Sequence, residues 1–180
     1  EESVMAGCDI DGHGRIEMQG DPFDLSRPFS SIYVFEARDF IDFGMVGGIV
    51  VPTPPGSWSI RSLASSTAAP ANATPFACDA GLRDETYHVE FPAHIPIIAI
   101  PADRHFRNSA GEYRAEWTRQ GQRVSVRHRL QLNAIRGNCT LCQPQDYPEL
   151  RALFQQVHRG FRGQIVHGKQ PGDALQPSEL

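Results

Sequence analysis

Cys139-Thr-Leu-Cys142 is the tightest grouping of reactive side chains in the sequence, and three chemistries use that spacing. A redox pair needs its first thiol at a helix N-terminus, where the dipole stabilises the thiolate. Here Pro144 and Asp146 place the helix start after both cysteines. A zinc site usually wants a second closely spaced ligand pair, and Cys8 and Cys78 stand far apart. A disulfide framework needs only an even count; the four cysteines supply it, with three possible connectivities in an oxidising compartment. Structural disulfides are favoured, and a thiol- or zinc-dependent enzyme is an alternative.

Asp9-Ile10-Asp11-Gly12-His13-Gly14-Arg15-Ile16 imitates a calcium loop at its first, third, sixth and eighth positions. Its fifth position is His13 and its twelfth is Gly20, where a bidentate Glu is required. A glycine-rich β-turn is the better reading. The seven histidines (His13, His88, His94, His105, His128, His158, His167) show no His-Glu-x-x-His spacing. His128, on an apolar strand face, reads as a satisfied core residue. No Gly-x-Ser-x-Gly elbow and no phosphate loop occur. Catalytic, cofactor-binding and metal-ligating residues are therefore assigned to none, and a non-enzymatic chain is expected.

Arg114, Arg119, Arg123, Arg127, Arg129 and Arg136 form a basic stripe that Glu112, Glu116 and the net acidity offset, so it reads as a solvated face. Trp58, Trp117 and Tyr113 are candidates for a stacking platform in a free-standing glycan- or peptide-binding module. Trp117 and Tyr113 share a core-facing pattern, which leaves Trp58, in a Pro/Gly-rich loop, as the possible binding surface. Asn72-Ala-Thr74 and Asn138-Cys-Thr140 are sequons only in a host that glycosylates.

The elements that must carry these residues are mostly strands. Thr86, His88 and Glu90 alternate with Tyr87, Val89 and Phe91, and Glu112, Arg114 and Glu116 with Tyr113, Ala115 and Trp117. Ser125, Arg127 and Arg129 alternate with Val124, Val126, Leu130 and Leu132. Period-two alternation marks strands with one buried and one wet face. Gln120-Gly121 is read as a hairpin loop setting Trp117 opposite Val124, Ala115 opposite Val126, Tyr113 opposite His128 and Glu112 opposite Arg129. Residues 9–18 read as a hairpin edge turning at Asp11-Gly12-His13-Gly14, with Ile16 and Met18 on one face. Ser31–Glu36 is a strand, and so is the run Gly47–Val51, which stops at its prolines. Residues 62–76, small and polar, read as an exposed loop. Asp146 as N-cap and Pro148 in the first turn open a helix over about 147–165, with Leu150, Leu153, Phe154, Val157, Phe161 and Ile165 as its apolar stripe. Gly160 and Gly163 weaken its end.

The bulk numbers set the frame. With 180 residues the chain can bury a proper core, and one domain over 1–167 with a flexible tail at 168–180 is expected, with two small domains as the alternative. Fourteen prolines and sixteen glycines suit a turn-rich β protein. A net charge of −4 argues against a nucleic-acid partner, and no apolar run approaches a membrane span. The first residues, Glu1-Glu2-Ser3, suggest a mature product or, preferably, a fragment. The fold expected is a mainly β, immunoglobulin-like sandwich with one C-terminal helix packed across an edge or end.

One family fits the order of short motifs. Pro75-Phe-Ala-Cys78, Tyr87-His-Val-Glu-Phe-Pro92, Glu112-Tyr113, the Gln120-Gly121 hairpin with Val124-Ser-Val-Arg127, and Cys142-Gln-Pro-Gln-Asp-Tyr147 occur in that order. Together they resemble the C-terminal β-rich region of bacterial exported transglutaminase-like proteins, over about residues 75–166. In that family a Cys-His-Asp papain-like core lies between β-rich domains of unknown function. The resemblance implies that the nucleophile would lie upstream, since no cysteine here matches its motif. It further implies a periplasmic or otherwise exported location, and a non-catalytic accessory role toward an upstream catalytic domain of the same polypeptide or a cell-envelope partner. No cofactor is implied. It also implies a Cys78–Cys142 disulfide tying the strand entrance to the helix entrance, with Cys8–Cys139 as the second pair.

Overall fold

The computed structural model describes residues 12–21, 23–24, 26, 31–37, 41–51, 53, 59–135 and 141–168. The chain divides into two compact units, Glu1–Asp42 and Phe43–Leu180. In the first unit, β1 (Gly12–Gln19) pairs antiparallel with β2 (Ser31–Ala37). The strand expected at Ser31–Glu36 is therefore present, but the turn at 11–14 is not. Gly12, His13 and Gly14 lie in the ladder opposite Ala37, Glu36 and Phe35. Glycine permits a turn without forcing one, and pairing with a strand-rich partner decides the local conformation. An irregularity between Ile16 and Met18 also breaks the alternation that would set those two side chains on one face.

The second unit is built on a four-stranded antiparallel sheet in the order β5-β9-β8-β7, comprising Gly81–Glu90, Arg123–Leu132, Gly111–Gln120 and Arg104–Asn108. A three-stranded antiparallel sheet, β3-β11-β6, comprises Gly47–Val50, Gln164–His167 and Ile97–Ala99. A short ladder joins β4 (Phe76–Ala77) to β10 (Leu141–Cys142). The unit is thus mainly β and antiparallel, as expected for the sandwich with one C-terminal helix.

Two clusters divide the buried face of the large sheet. Tyr113, Ala115, Leu130 and Leu132 pack against Leu150, Leu153, Phe154, Val157 and Phe161 of the helix Tyr147–Phe161. Trp117, Val124 and Val126 pack against Val51, Ile97 and Ile165 of the smaller sheet side. Full burial of side chains such as Leu153 and Phe154 contributes about 2 kcal/mol each. The helix therefore packs over the end of the sheet's inner face that lies away from the β8–β9 hairpin loop, in keeping with the expected placement across an edge or end.

Four local expectations change. The hairpin loop is Gly121-Gln122, not Gln120-Gly121, because Gly121 takes φ +60° at the first loop position, the conformation primed hairpin turns require. Moving the loop by one residue moves the register by two, so Trp117 faces Val126, Ala115 faces His128 and Tyr113 faces Leu130. An even shift keeps every side chain on its expected face while changing every partner. Glu112 meets Gln131 instead of Arg129.

The helix ends at Phe161, four residues short of the expected limit, and Ile165 is buried on β11 instead of extending the helical stripe. Its start follows a 3-10 turn at Pro144–Asp146, where Asp146 accepts the Gln143 N–H at 2.9 Å and does not cap the α-helix with its side chain. Within 62–76 the chain is not all loop: Ile60–Ala64 is helical and Ser65–Thr67 a 3-10 turn. Ser59 caps the short helix by accepting the Ser62 N–H at 3.0 Å, and Ile60 and Ala64 are fully buried. No described helix is long and apolar enough to cross a membrane.

Candidate functional site

The outward face of the four-stranded sheet gathers most of the charged side chains whose neighbours the register fixes. One cross-strand row reads Asp84, Arg129, Arg114, His105 from β5 to β7. The rows on either side read Leu82, Gln131, Glu112, Arg107 and Thr86, Arg127, Glu116. Asp84 is taken diagonally: Arg127 donates from Nε at 2.8 Å and from Nη2 at 2.5 Å to its two oxygens. The Arg127 hydrogen bond holds the Asp84 carboxyl below its usual range, and the same pairing raises Arg127.

Glu112 gathers three side chains, with Arg114 Nε at 2.5 Å, His105 Nε2 at 3.0 Å and Arg107 Nε at 4.0 Å. The Arg114 hydrogen bond holds the Glu112 carboxyl below its usual range. A groove of about 280 Å³ lies between Glu112, Arg114, Arg129 and Gln131. A smaller one of about 80 Å³ adjoins it, lined by Arg114, Glu116, Arg127 and Arg129.

Beneath the sheet, the polar atoms are used internally. His128, 1 % exposed, stacks on Phe161 with ring centroids 4.0 Å apart, and its Nδ1 shares a hydrogen bond of 2.8 Å with the Tyr113 hydroxyl. Burial pushes the His128 imidazole down to about 4, so it is neutral at physiological pH. Burial also raises the Tyr113 phenol. Tyr87 donates its hydroxyl to Glu85 Oε2 at 2.8 Å, while Glu85 Oε1 accepts the Ile60 N–H at 2.7 Å and anchors the short helix. Burial is the main cause raising the Tyr87 phenol, with the Glu85 hydrogen bond next. His167 is also buried, its ring edge-on to Phe43 at 5.1 Å, and its Nδ1 has no hydrogen-bond partner among the described residues.

These placements sort the residues that the sequence singled out. Cys78 and Cys142 form a disulfide, with Cα atoms 5.7 Å apart. Cys142 is therefore not half of a thiol pair with Cys139. Cys8, Cys139, Trp58, Arg136, Asn138, the first three residues of the calcium-like loop and the tail from 169 lie outside the described residues. Trp117 and Tyr113 are buried, at 7 % and 0 % exposure, and offer no stacking platform.

The basic stripe splits. Arg114, Arg123, Arg127 and Arg129 alternate onto the outward face, whereas Arg119 bonds the Ile97 and Gly121 carbonyls. Among the described residues, no group of three or more His, Cys, Asp or Glu side chains is placed to hold a metal ion. Sequence reasoning missed Asp84 and the Arg114–Arg129 juxtaposition. The first stands one turn of alternation before the pattern used to find β5, and the second depends on the loop position.

Comparison with known proteins adds two matches. The model of a family described as a Domain of Unknown Function with solved structure (DUF3858) matches residues 72–167, more than half of the chain. A solved structure from Parabacteroides distasonis ATCC 8503, described as a "putative protease", is similar with a TM-score of 0.51 and 16% sequence identity. The match covers 68% of this chain and 23% of that one, so the likeness is one of fold and spans about a quarter of the longer protein. No curated protein matches.

Proposed function

The chain belongs to the DUF3858 family, and from that footing we propose that it is a non-catalytic accessory domain of an exported transglutaminase-like protein. In this reading it positions a catalytic core carried elsewhere in a longer polypeptide or engages a partner in the cell envelope. The observation that carries the reading is how the reactive side chains are used. Both described cysteines are consumed in one disulfide, and the buried His128 is neutral and committed to Tyr113. Neither described cysteine is therefore a free thiol that a histidine could activate, and His88 Nδ1, 2.7 Å from the Ser125 hydroxyl, lies exposed on the open sheet face rather than in an enclosed cleft of the kind covalent acyl transfer uses.

The disulfide supports an oxidising, exported setting. The 23% coverage of the structurally similar chain supports a role as one part of a larger assembly.

The test is a set of assays for amide hydrolysis and glutamine-dependent transamidation on the purified chain, with a casein substrate and a primary amine acceptor. The expected result is no turnover above buffer. Turnover that co-purifies with the chain and disappears in a Cys78→Ala, Cys142→Ala or His128→Gln variant that still folds would overturn the reading.

A further inference from the structure

We propose that the groove between Arg114 and Arg129 binds a carboxylate presented by an acidic peptide segment of a partner protein. The inference rests on the charge layout of the sheet and is independent of where any catalytic core resides.

Arg114 and Arg129 stand directly opposite each other on β8 and β9. Like charges facing across a ladder repel, so this position carries an unfavourable pair that an anion between them would relieve. Of the internal carboxylates, Asp84 attracts Arg129 through space without bonding it, Glu112 is bonded to other side chains, and Glu116 stands beside both arginines as a competitor. Asp84, opposite Arg129 on β5, gives both oxygens to Arg127. Glu112 is shared among Arg114, His105 and Arg107. Arg129 itself has no hydrogen bond or ion pair among the described residues, and Arg114 spends only its Nε on Glu112. Two forks of N–H donors therefore border one groove of about 280 Å³, with the Gln131 side chain on its wall.

Planar N–H forks match the two oxygens of a carboxylate. The source of that carboxylate follows from the shape. Small-molecule sites enclose most of their ligand, whereas this groove lies on an open sheet face with the Arg114 side chain 49% exposed. A side chain delivered by a second protein surface needs no such enclosure, because the partner supplies the other wall. Glu116 lines the adjoining groove with the same two arginines and is the internal anion placed to compete.

The experiment is an NMR titration of the arginine Nε–Hε signals in the ¹⁵N-labelled chain. The probes are a capped Gly-Glu-Gly-Glu-Gly peptide, its Gln counterpart and sodium sulfate, all at matched ionic strength. The glutamate peptide should shift the Arg114 and Arg129 signals saturably, with an affinity on the order of millimolar as suits one solvent-exposed contact. Arg129→Gln should weaken binding by about threefold or more, and Glu116→Gln should strengthen it by about twofold. Arg123→Gln, on the same face but away from the groove, should change nothing. Equal shifts from the Gln peptide, equal shifts from sulfate, or an Arg129→Gln variant that binds unchanged would each overturn the proposal.

Discussion

His128 is held neutral by its surroundings, and that has a pH consequence of defined sign. Its folded-state value of about 4 lies below the ordinary imidazole value of 6.5, so the unfolded chain binds the extra proton first. The stabilisation is complete above about pH 6.5 and is lost as pH falls toward 4, with up to about 3 kcal/mol at stake. Asp84 and Glu112, both lowered by arginine hydrogen bonds, act in the acid range below the ordinary carboxylate values, where protonation removes their pairing. Denaturant unfolding at half-unit pH steps should therefore show two successive losses, the imidazole first. Replacing the imidazole in His128→Phe should lower stability at pH 7, because the Tyr113 hydroxyl loses its buried partner at a cost of about 1–3 kcal/mol. The same variant should flatten the stability profile between pH 6.5 and 4. A variant with an unchanged slope there would show that another group carries that titration.

Gly160 shows how an element's end is fixed by what it packs against. On helix propensity alone, alanine is favoured over glycine by about 1 kcal/mol. A Cβ at Gly160 would nevertheless lie 1.9 Å from the Tyr113 hydroxyl oxygen, which is pinned by its bond to His128. Gly160→Ala should thus destabilise by about 1–3 kcal/mol, as overpacking does, despite the propensity gain. Adding Tyr113→Phe should recover only part of that loss, because the ring carbon at 2.8 Å also crowds the new methyl. Thermal denaturation of the two single variants and the double variant checks this, and full additivity would count against the contact.

The same competition between local pattern and tertiary packing explains what the sequence could show. Inward and outward faces of β5, β8 and β9 were legible because alternation survives any even register shift. Partner identities were not, since they turn on whether Gly121 is the first or second loop residue. Ile165 matched the helical stripe by spacing, yet strand pairing with Ile49 claims it. The short helix at Ile60–Ala64 did have a signal, in Ser59 as cap with Ile60, Leu63 and Ala64 at helical spacing, masked by the small residues after it. Of the candidate groove, the arginines were visible in the sequence but their opposition was not, because it arises only across strands.

At the scale of the second unit, the Cys78–Cys142 disulfide closes a span of 64 residues that includes β5 through β9. The bridge joins the two-residue ladder of β4 and β10, which by length alone is too short to hold. Cross-linking a loop of this size removes unfolded-state entropy worth about 4 kcal/mol in the chain-entropy model. A paired Cys78→Ala, Cys142→Ala variant should therefore lose about 4 kcal/mol while keeping the large sheet, whose hairpin ladders and helix contacts do not pass through the bridge. Because Cys142 is fully buried, the alanine also leaves a small void, which adds to the loss. Comparing the variant with wild type under reductant separates the two contributions, since reduction opens the loop without removing the sulfur atoms. If the reduced wild type unfolds at the same denaturant concentration as the oxidised one, loop closure is not what the bridge supplies. A drop of the expected size that spares the chemical shifts of Tyr113 and His128 would place its effect on the unfolded chain, and leave the sheet as the part of this unit able to stand without it.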